Sequence, residues 1–230
     1  MLLLWRPAGV ALSLVLLRAK LPKPRRAPAA APAPRAPWVG AFFSQYDKEA
    51  LSSRFGELAS ASSCDHMTIA HSPNATTLAM LEPLFGTAAV VSVLGVAADA
   101  NGRAALVRVD GPASANDFPH VTLKVGAWPY TAAYSNCLWE RVVAAAGATV
   151  DRDAAGQPVG VALPGGAQQW RGALPAGRCA GSPKFHVATA ATLDISDGGA
   201  AEYHTTLCLN TRWDRSAGVC RCAGEDSPLL

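Results

Sequence analysis

The sequence predicts an α+β domain in which helices pack on antiparallel sheets, and three observations lead to it. Strand-like and helix-like segments follow one another as β-α-β-α-β-β-β-α between Trp38 and Gly147. Half of the residues are apolar and many of these are alanine, which suits close-packed helices and sheets rather than a coiled coil or a disordered tail. The phrase His-x-Thr also recurs in runs of period-two alternation, where residues two apart share one face of a strand.

Each element has its own signal. Residues 38–43 read as a strand, and Ser44-Gln45-Tyr46-Asp47 as a helix start, with a capping hydroxyl and a first-turn carboxylate. Leu51, Phe55 and Leu58 follow at helical spacing. After the first His-x-Thr strand, a short helix over 77–85 is closed by Pro83 and Gly86. Apolar runs over 87–97 and 103–110 meet at Asn101-Gly102, a hairpin signal because both residues accept positive φ. A polar loop over 111–119 delivers the second His-x-Thr strand. Ser135 or Asn136 then caps a helix whose Leu138, Trp139, Val142, Val143 and Ala146 form one apolar face, ended by Gly147. Beyond it, 159–163, 185–195 and 203–210 read as strands, with Asp197-Gly198-Gly199 turning the last two into a hairpin.

The ends of the chain differ from its middle. Residues 1–17 are apolar apart from Arg6 and Ser13, and 18–37 are rich in Pro, Ala, Lys and Arg, so 1–37 is expected to be a signal or anchor segment with an extended linker. That predicts a secretory or membrane-anchored protein, with an organellar transit peptide as the alternative. The formal net charge is +3, but +7 of it lies before Asp47, so the remainder carries −4. A body with that balance lacks the broad basic footprint of a protein that grips long nucleic acid through its phosphates.

Six cysteines are an even number, and in a secretory compartment they suggest disulfides involving Cys179, Cys208 and the Cys220/Cys222 pair, with the pairing open. Asn74-Ala75-Thr76 is a glycosylation sequon in that setting. A zinc site from Cys64, His66 and His71 is disfavoured, because alternation places His71 on the strand face opposite His66 and the spacing matches no usual ligand pattern. No metal or other cofactor is expected.

The chemistry concentrates in the repeated phrase. Five His and twelve Thr predict about a quarter of one His-x-Thr by chance, yet three occur: His66-Met67-Thr68, His120-Val121-Thr122 and His204-Thr205-Thr206. The first two alternate with apolar residues, so each offers an imidazole and a hydroxyl to one side of a strand. The third has Thr205 where an apolar partner belongs, and reads as an ordinary strand.

Asp65-His66-Met67-Thr68-Ile69-Ala70-His71, Phe118-Pro119-His120-Val121-Thr122-Leu123 and Tyr134-Ser135-Asn136 resemble the cyclic phosphodiesterase domain of fungal and plant tRNA ligases, which belongs to the two-histidine phosphoesterases. The similarity covers residues 38–172, leaving 173–230 as C-terminal strands and a cysteine-containing tail packed on the same domain. The resemblance implies a bilobal two-histidine phosphoesterase-like fold with pseudo-two-fold symmetry, each lobe giving one His-x-Thr strand to a central cleft. It implies metal-independent hydrolysis of a 2′,3′-cyclic phosphate, with His66 and His120 as the catalytic acid–base pair and Thr68 and Thr122 as phosphate ligands.

The residue chemistry is compatible with those roles. Opening a cyclic phosphodiester needs a base for water and an acid for the departing ribose oxygen, tasks two imidazoles can share. Threonine hydroxyls can donate to the non-bridging oxygens. Alternation puts Lys124 on the Thr122 face, where a cation would help hold the anion. The expected partner is an RNA 2′,3′-cyclic phosphate end or a small cyclic nucleotide, together with a membrane if the leader is an anchor. The alternative is a non-catalytic module of the same fold that binds phosphate or nucleotide.

Overall fold

The computed structural model describes residues 37–55, 65–126, 130–179, 184–195, 202–214 and 219–220. Strand β1 (Trp38–Phe43) leads into α1 (Gln45–Phe55), β2 (His66–His71) and α2 (Ala75–Leu81), followed by a 3-10 turn over Glu82–Leu84. The long strands β3 (Ala88–Asp99) and β4 (Gly102–Asp110) form a hairpin, and β5 (His120–Val125) and α3 (Tyr134–Ala146) follow. The remainder is β6 (Thr149–Arg152), β7 (Pro158–Ala162), β8 (Gln169–Leu174), β9 (Gly177–Arg178), β10 (Phe185–His186), β11 (Thr189–Ile195), β12 (Glu202–Leu209), β13 (Trp213–Asp214) and β14 (Val219–Cys220).

The bilobal α+β expectation is overturned. Six antiparallel strands run in the order β12-β1-β2-β5-β4-β3, and β3 pairs with β12, closing a barrel. Two lobes would keep the His-x-Thr strands in separate sheets, whereas β2 and β5 are neighbours in one sheet. The closing rungs join residues 88–92 to 202–206, a separation that no local sequence pattern reports. Since β12 supplies a barrel strand, the segment after Gly172 is part of the fold, and residues 36–230 form one compact unit. The expected 197–199 turn lies outside the described residues, but β11 and β12 do not pair as a hairpin.

They are instead held on two different stretches of β3. Its first half pairs with β12, and residues 95–99 pair with β11, which carries β8 on its far side. Leu94 interrupts the β3–β4 register between Val93 and Gly95, just where β3 changes partners. A bulge bends a strand and increases its twist, which lets one twelve-residue strand belong to the barrel and to the extension beside it.

The barrel interior is filled by alternate residues, including Phe43, Met67, Ile69, Val91, Val107, Val121, Leu123 and Leu207, with Leu51 of α1 packed on it. A second core lies between α3 and the sheet, where Leu138, Trp139 and Val142 meet Ala97, Leu106, Leu174 and Leu193. Burial of such side chains is worth about 1.5–3 kcal/mol each, so both cores contribute substantially to stability.

Helix starts follow local chemistry. Ser44 Oγ accepts from Asp47 N at 3.1 Å, as its position predicts. Helix α2 begins earlier than expected, because Asn74 Oδ1 accepts from Thr77 N at 2.8 Å. Helix α3 starts at Tyr134 without a side-chain cap, so neither Ser135 nor Asn136 is its N-cap, and Gly147 ends it at φ 61°. The β3–β4 turn also differs from expectation. Asp99 Oδ1 accepts from Asn101 N and Gly102 N, and neither Asn101 nor Gly102 has positive φ.

Disulfides join Cys137 to Cys179 and Cys208 to Cys220, so Cys179, Cys208 and Cys220 are paired and Cys137 joins them. Cys64 and Cys222 lie outside the described residues. No helix among the described residues is long and apolar enough to cross a membrane.

Candidate functional site

The barrel's outer face carries the site. Met67 pairs with Val121 across β2 and β5, and both point into the core. Continuing that antiparallel register one residue each way sets Thr68 across from His120 and His66 across from Thr122, all four on the opposite face. The two histidines therefore lie on a diagonal, and cross-strand diagonal neighbours are about 7–8 Å apart, within reach of long side chains.

His66, Thr68, His120 and Thr122 line one cleft of ≈ 480 Å³. Trp38, His71, Asn116, Ala132, Ala133 and Asn136 complete its walls. Lys124 does not line it: the side chain is exposed farther along β5. His204 stands apart on β12, exposed, and is not among the cleft residues.

Two bulges explain where alternation fails. Val39 pairs with Ala70 and Gly40 with Thr68, leaving Ile69 as an extra residue that shifts the phase of β2. His71 is thereby brought opposite Trp38 at the cleft, although parity put it on the other face. The bulge also frees the Ile69 carbonyl, which accepts from Ala115 N at 2.7 Å, while Ser114 Oγ donates to Thr68 O at 2.8 Å. Those bonds dock the β4–β5 loop on β2 and carry Asn116 to the cleft. On β5, Ala104 pairs with Thr122 and Arg103 with Lys124, so Leu123 is the extra residue separating Lys124 from the cleft set.

The histidines sit in different surroundings. His120 Nδ1 donates to Phe118 O at 2.7 Å, which makes Nε2 the ring nitrogen left to meet Asn136 or a substrate. Burial, assisted by the nearby His66 and opposed by the Phe118 bond and the Asn136 side chain, lowers the His120 pKa to about 4, so the ring is neutral at physiological pH. His66 Nδ1 lies 3.3 Å from the Asp65 carboxylate, which orients the ring by accepting a hydrogen bond from Nδ1–H. The ring also lies against Trp38, with centroids 4.2 Å apart.

Backbone fit and helix placement complete the site. A Cβ on Gly40 would come within 2.6 Å of the Trp38 ring and 3.0 Å of Met67 O, so only glycine leaves room for the indole there. Asn210 holds the Trp38 backbone at both ends, Trp38 N donating to its Oδ1 at 3.1 Å and Asn210 N donating to Trp38 O at 2.9 Å. From α3, Ser135 Oγ meets Thr122 Oγ1 at 3.0 Å. Asn136, on the same helix, lines the cleft and its side chain meets His120. The start of α3 is fixed from behind, where Tyr134 Oη donates to Asp99 at 2.6 Å and buried Arg141 donates to Tyr134 Oη at 2.8 Å.

Among the described residues, Cys137, Cys179 and His186 bring ligand-type atoms within 4.8 Å of one another, but the two sulfurs are bonded to each other. No known family profile matches the chain, and no curated protein is significantly similar to it.

Proposed function

We propose that the protein is a metal-independent phosphoesterase that hydrolyses a 2′,3′-cyclic phosphate, carried on an RNA end or a small nucleotide, by acid–base catalysis between His120 and His66. The observation behind this reading is the two-by-two array of imidazoles and hydroxyls on adjacent strands in one cleft. The motif resemblance supports the chemistry alone, since the fold it implied is not the one adopted.

The surroundings of the two histidines divide their roles. His120, neutral and with Nδ1 committed to Phe118 O, takes the proton of the attacking water on Nε2 as a new P–O bond forms. His66, its Nδ1 against Asp65, protonates the ribose oxygen as the ring's P–O bond breaks, leaving a phosphomonoester and a free hydroxyl. Thr68 and Thr122 donate to the non-bridging oxygens, with Ser135 fixing the Thr122 hydroxyl.

The test is incubation of the purified protein with nucleoside 2′,3′-cyclic phosphates and with RNA ending in one, in the presence of EDTA. Release of a phosphomonoester is expected. Saturable binding without turnover would replace this reading by the binding module, and absence of both would remove it.

A further inference from the structure

We infer that Asn74 carries an N-linked glycan, which places the chain in the lumen of a secretory compartment during its synthesis. Asn74-Ala75-Thr76 is the single Asn-x-Ser/Thr sequence in the chain, and neither Ala75 nor the following Thr77 is the proline that would block the reaction. The sequon meets the steric demand as well. Asn74 is the exposed N-cap of α2 and Thr76 is exposed in the first turn of that helix.

The bonding of Asn74 leaves the reacting atom available. Its Oδ1 accepts from Thr77 N at 2.8 Å, and its backbone carbonyl accepts from Leu78 N at 2.9 Å. Both bonds use oxygens, so a sugar on Nδ2 leaves the helix cap intact. In the transfer, Nδ2 loses a proton and bonds to the anomeric carbon of a lipid-pyrophosphate-linked oligosaccharide. The bond from that carbon to the phosphate oxygen breaks, and the lipid pyrophosphate departs. A separate observation points to the same compartment: the two disulfides are bonds that persist where glutathione and thioredoxin do not keep thiols reduced.

The experiment expresses the full chain in a eukaryotic cell and treats it with peptide N-glycosidase, which releases the glycan and leaves aspartate at the attachment site. The expected result is one mobility shift lost on treatment, with a 74-containing peptide reading Asp. The shift should be absent from Thr76→Ala and Asn74→Asp and retained in Thr76→Ser. Thr76→Ala leaves the Asn74 cap in place and Asp caps as Asn does, so loss of the shift in these variants does not report loss of the helix. An unshifted wild-type chain, whether secreted or held in the cytosol, overturns the inference. So does a shift that survives in both Thr76→Ala and Asn74→Asp.

Discussion

Met67 and Val121 face each other across the β2–β5 ladder, and this rung places His66, Thr68, His120 and Thr122 together on the opposite face. A one-residue slip of β2 against β5 would turn one strand over relative to the other, sending either His66 and Thr68 or His120 and Thr122 into the core and exposing Met67 or Val121, so the buried pair specifies the register of the site. Met67 and Val121 are fully buried, which makes that specification strong.

If the diagonal histidines act as one acid–base unit, His66→Ala and His120→Ala should each lower turnover of a 2′,3′-cyclic phosphate by about 10²- to 10⁴-fold. The double variant should cost little more than either single one, because groups that act as a unit are strongly non-additive. His204→Ala, remote from the cleft, should retain near-wild-type rates. Steady-state kinetics with circular dichroism as a folding control measures all four, and loss of turnover in His204→Ala with none in His66→Ala would assign the wrong strand pair.

His120 also makes stability depend on pH. Its pKa is lowered to about 4 in the folded state, against 6.5 when unperturbed, so between these values the unfolded chain binds a proton that the folded chain does not. Stability from this group is complete above about pH 6.5 and is lost as pH falls toward 4. The gap corresponds to roughly 3 kcal/mol. His186, lowered by its own burial, acts in the same direction. Urea unfolding at several pH values should show midpoints falling across this window, with a shallower slope in His120→Gln.

What alternation made legible in the sequence was the stretch before each bulge. His66 and Thr68, and His120 and Thr122, share a face because no irregularity intervenes within either pair. His71 and Lys124 lie past the extra residues Ile69 and Leu123, and there parity gives the wrong face. Neither bulge carries a Gly or Pro that would announce it. Trp38 joins the site only because Gly40 leaves space for its ring, which required knowing that β1 and β2 are neighbours. The order of elements through α3 could be read locally because each element has its own period or cap. Barrel closure depends on the distant pairing of β12 with β3, and so the fold class could not be read in the same way.

The two disulfides should differ in their contribution to stability. Cys208–Cys220 closes a separation of 12 residues and Cys137–Cys179 one of 42. Chain-entropy reasoning assigns about 3 kcal/mol to the shorter loop and about 4 to the longer. Replacing each pair by serine should lower the denaturation midpoint in that order. The Cys137–Cys179 variant should in addition lose activity, since Cys137 directly follows Asn136, which lines the cleft, on the helix whose Ser135 meets Thr122. Equal midpoints with full activity in both variants would show that neither crosslink constrains the site.

Barrel closure yields the last prediction, which concerns the two ends of the chain. A chain beginning at Ala36 retains every strand of the barrel, whereas one ending at Gly172 lacks β11 and β12. Without β12, the edges of β1 and β3 are left with unpaired N–H and C=O groups, and Tyr203, Leu207 and Leu209 are removed from the core. Open edges of this kind also recruit other chains. The chain from Ala36 should therefore unfold in one cooperative thermal transition. The chain to Gly172 should aggregate or melt without cooperativity, although it contains all four of His66, Thr68, His120 and Thr122. A cooperative, monomeric 36–172 fragment would mean that the site folds independently of the closing strand and that β12 only decorates a sheet already stable without it.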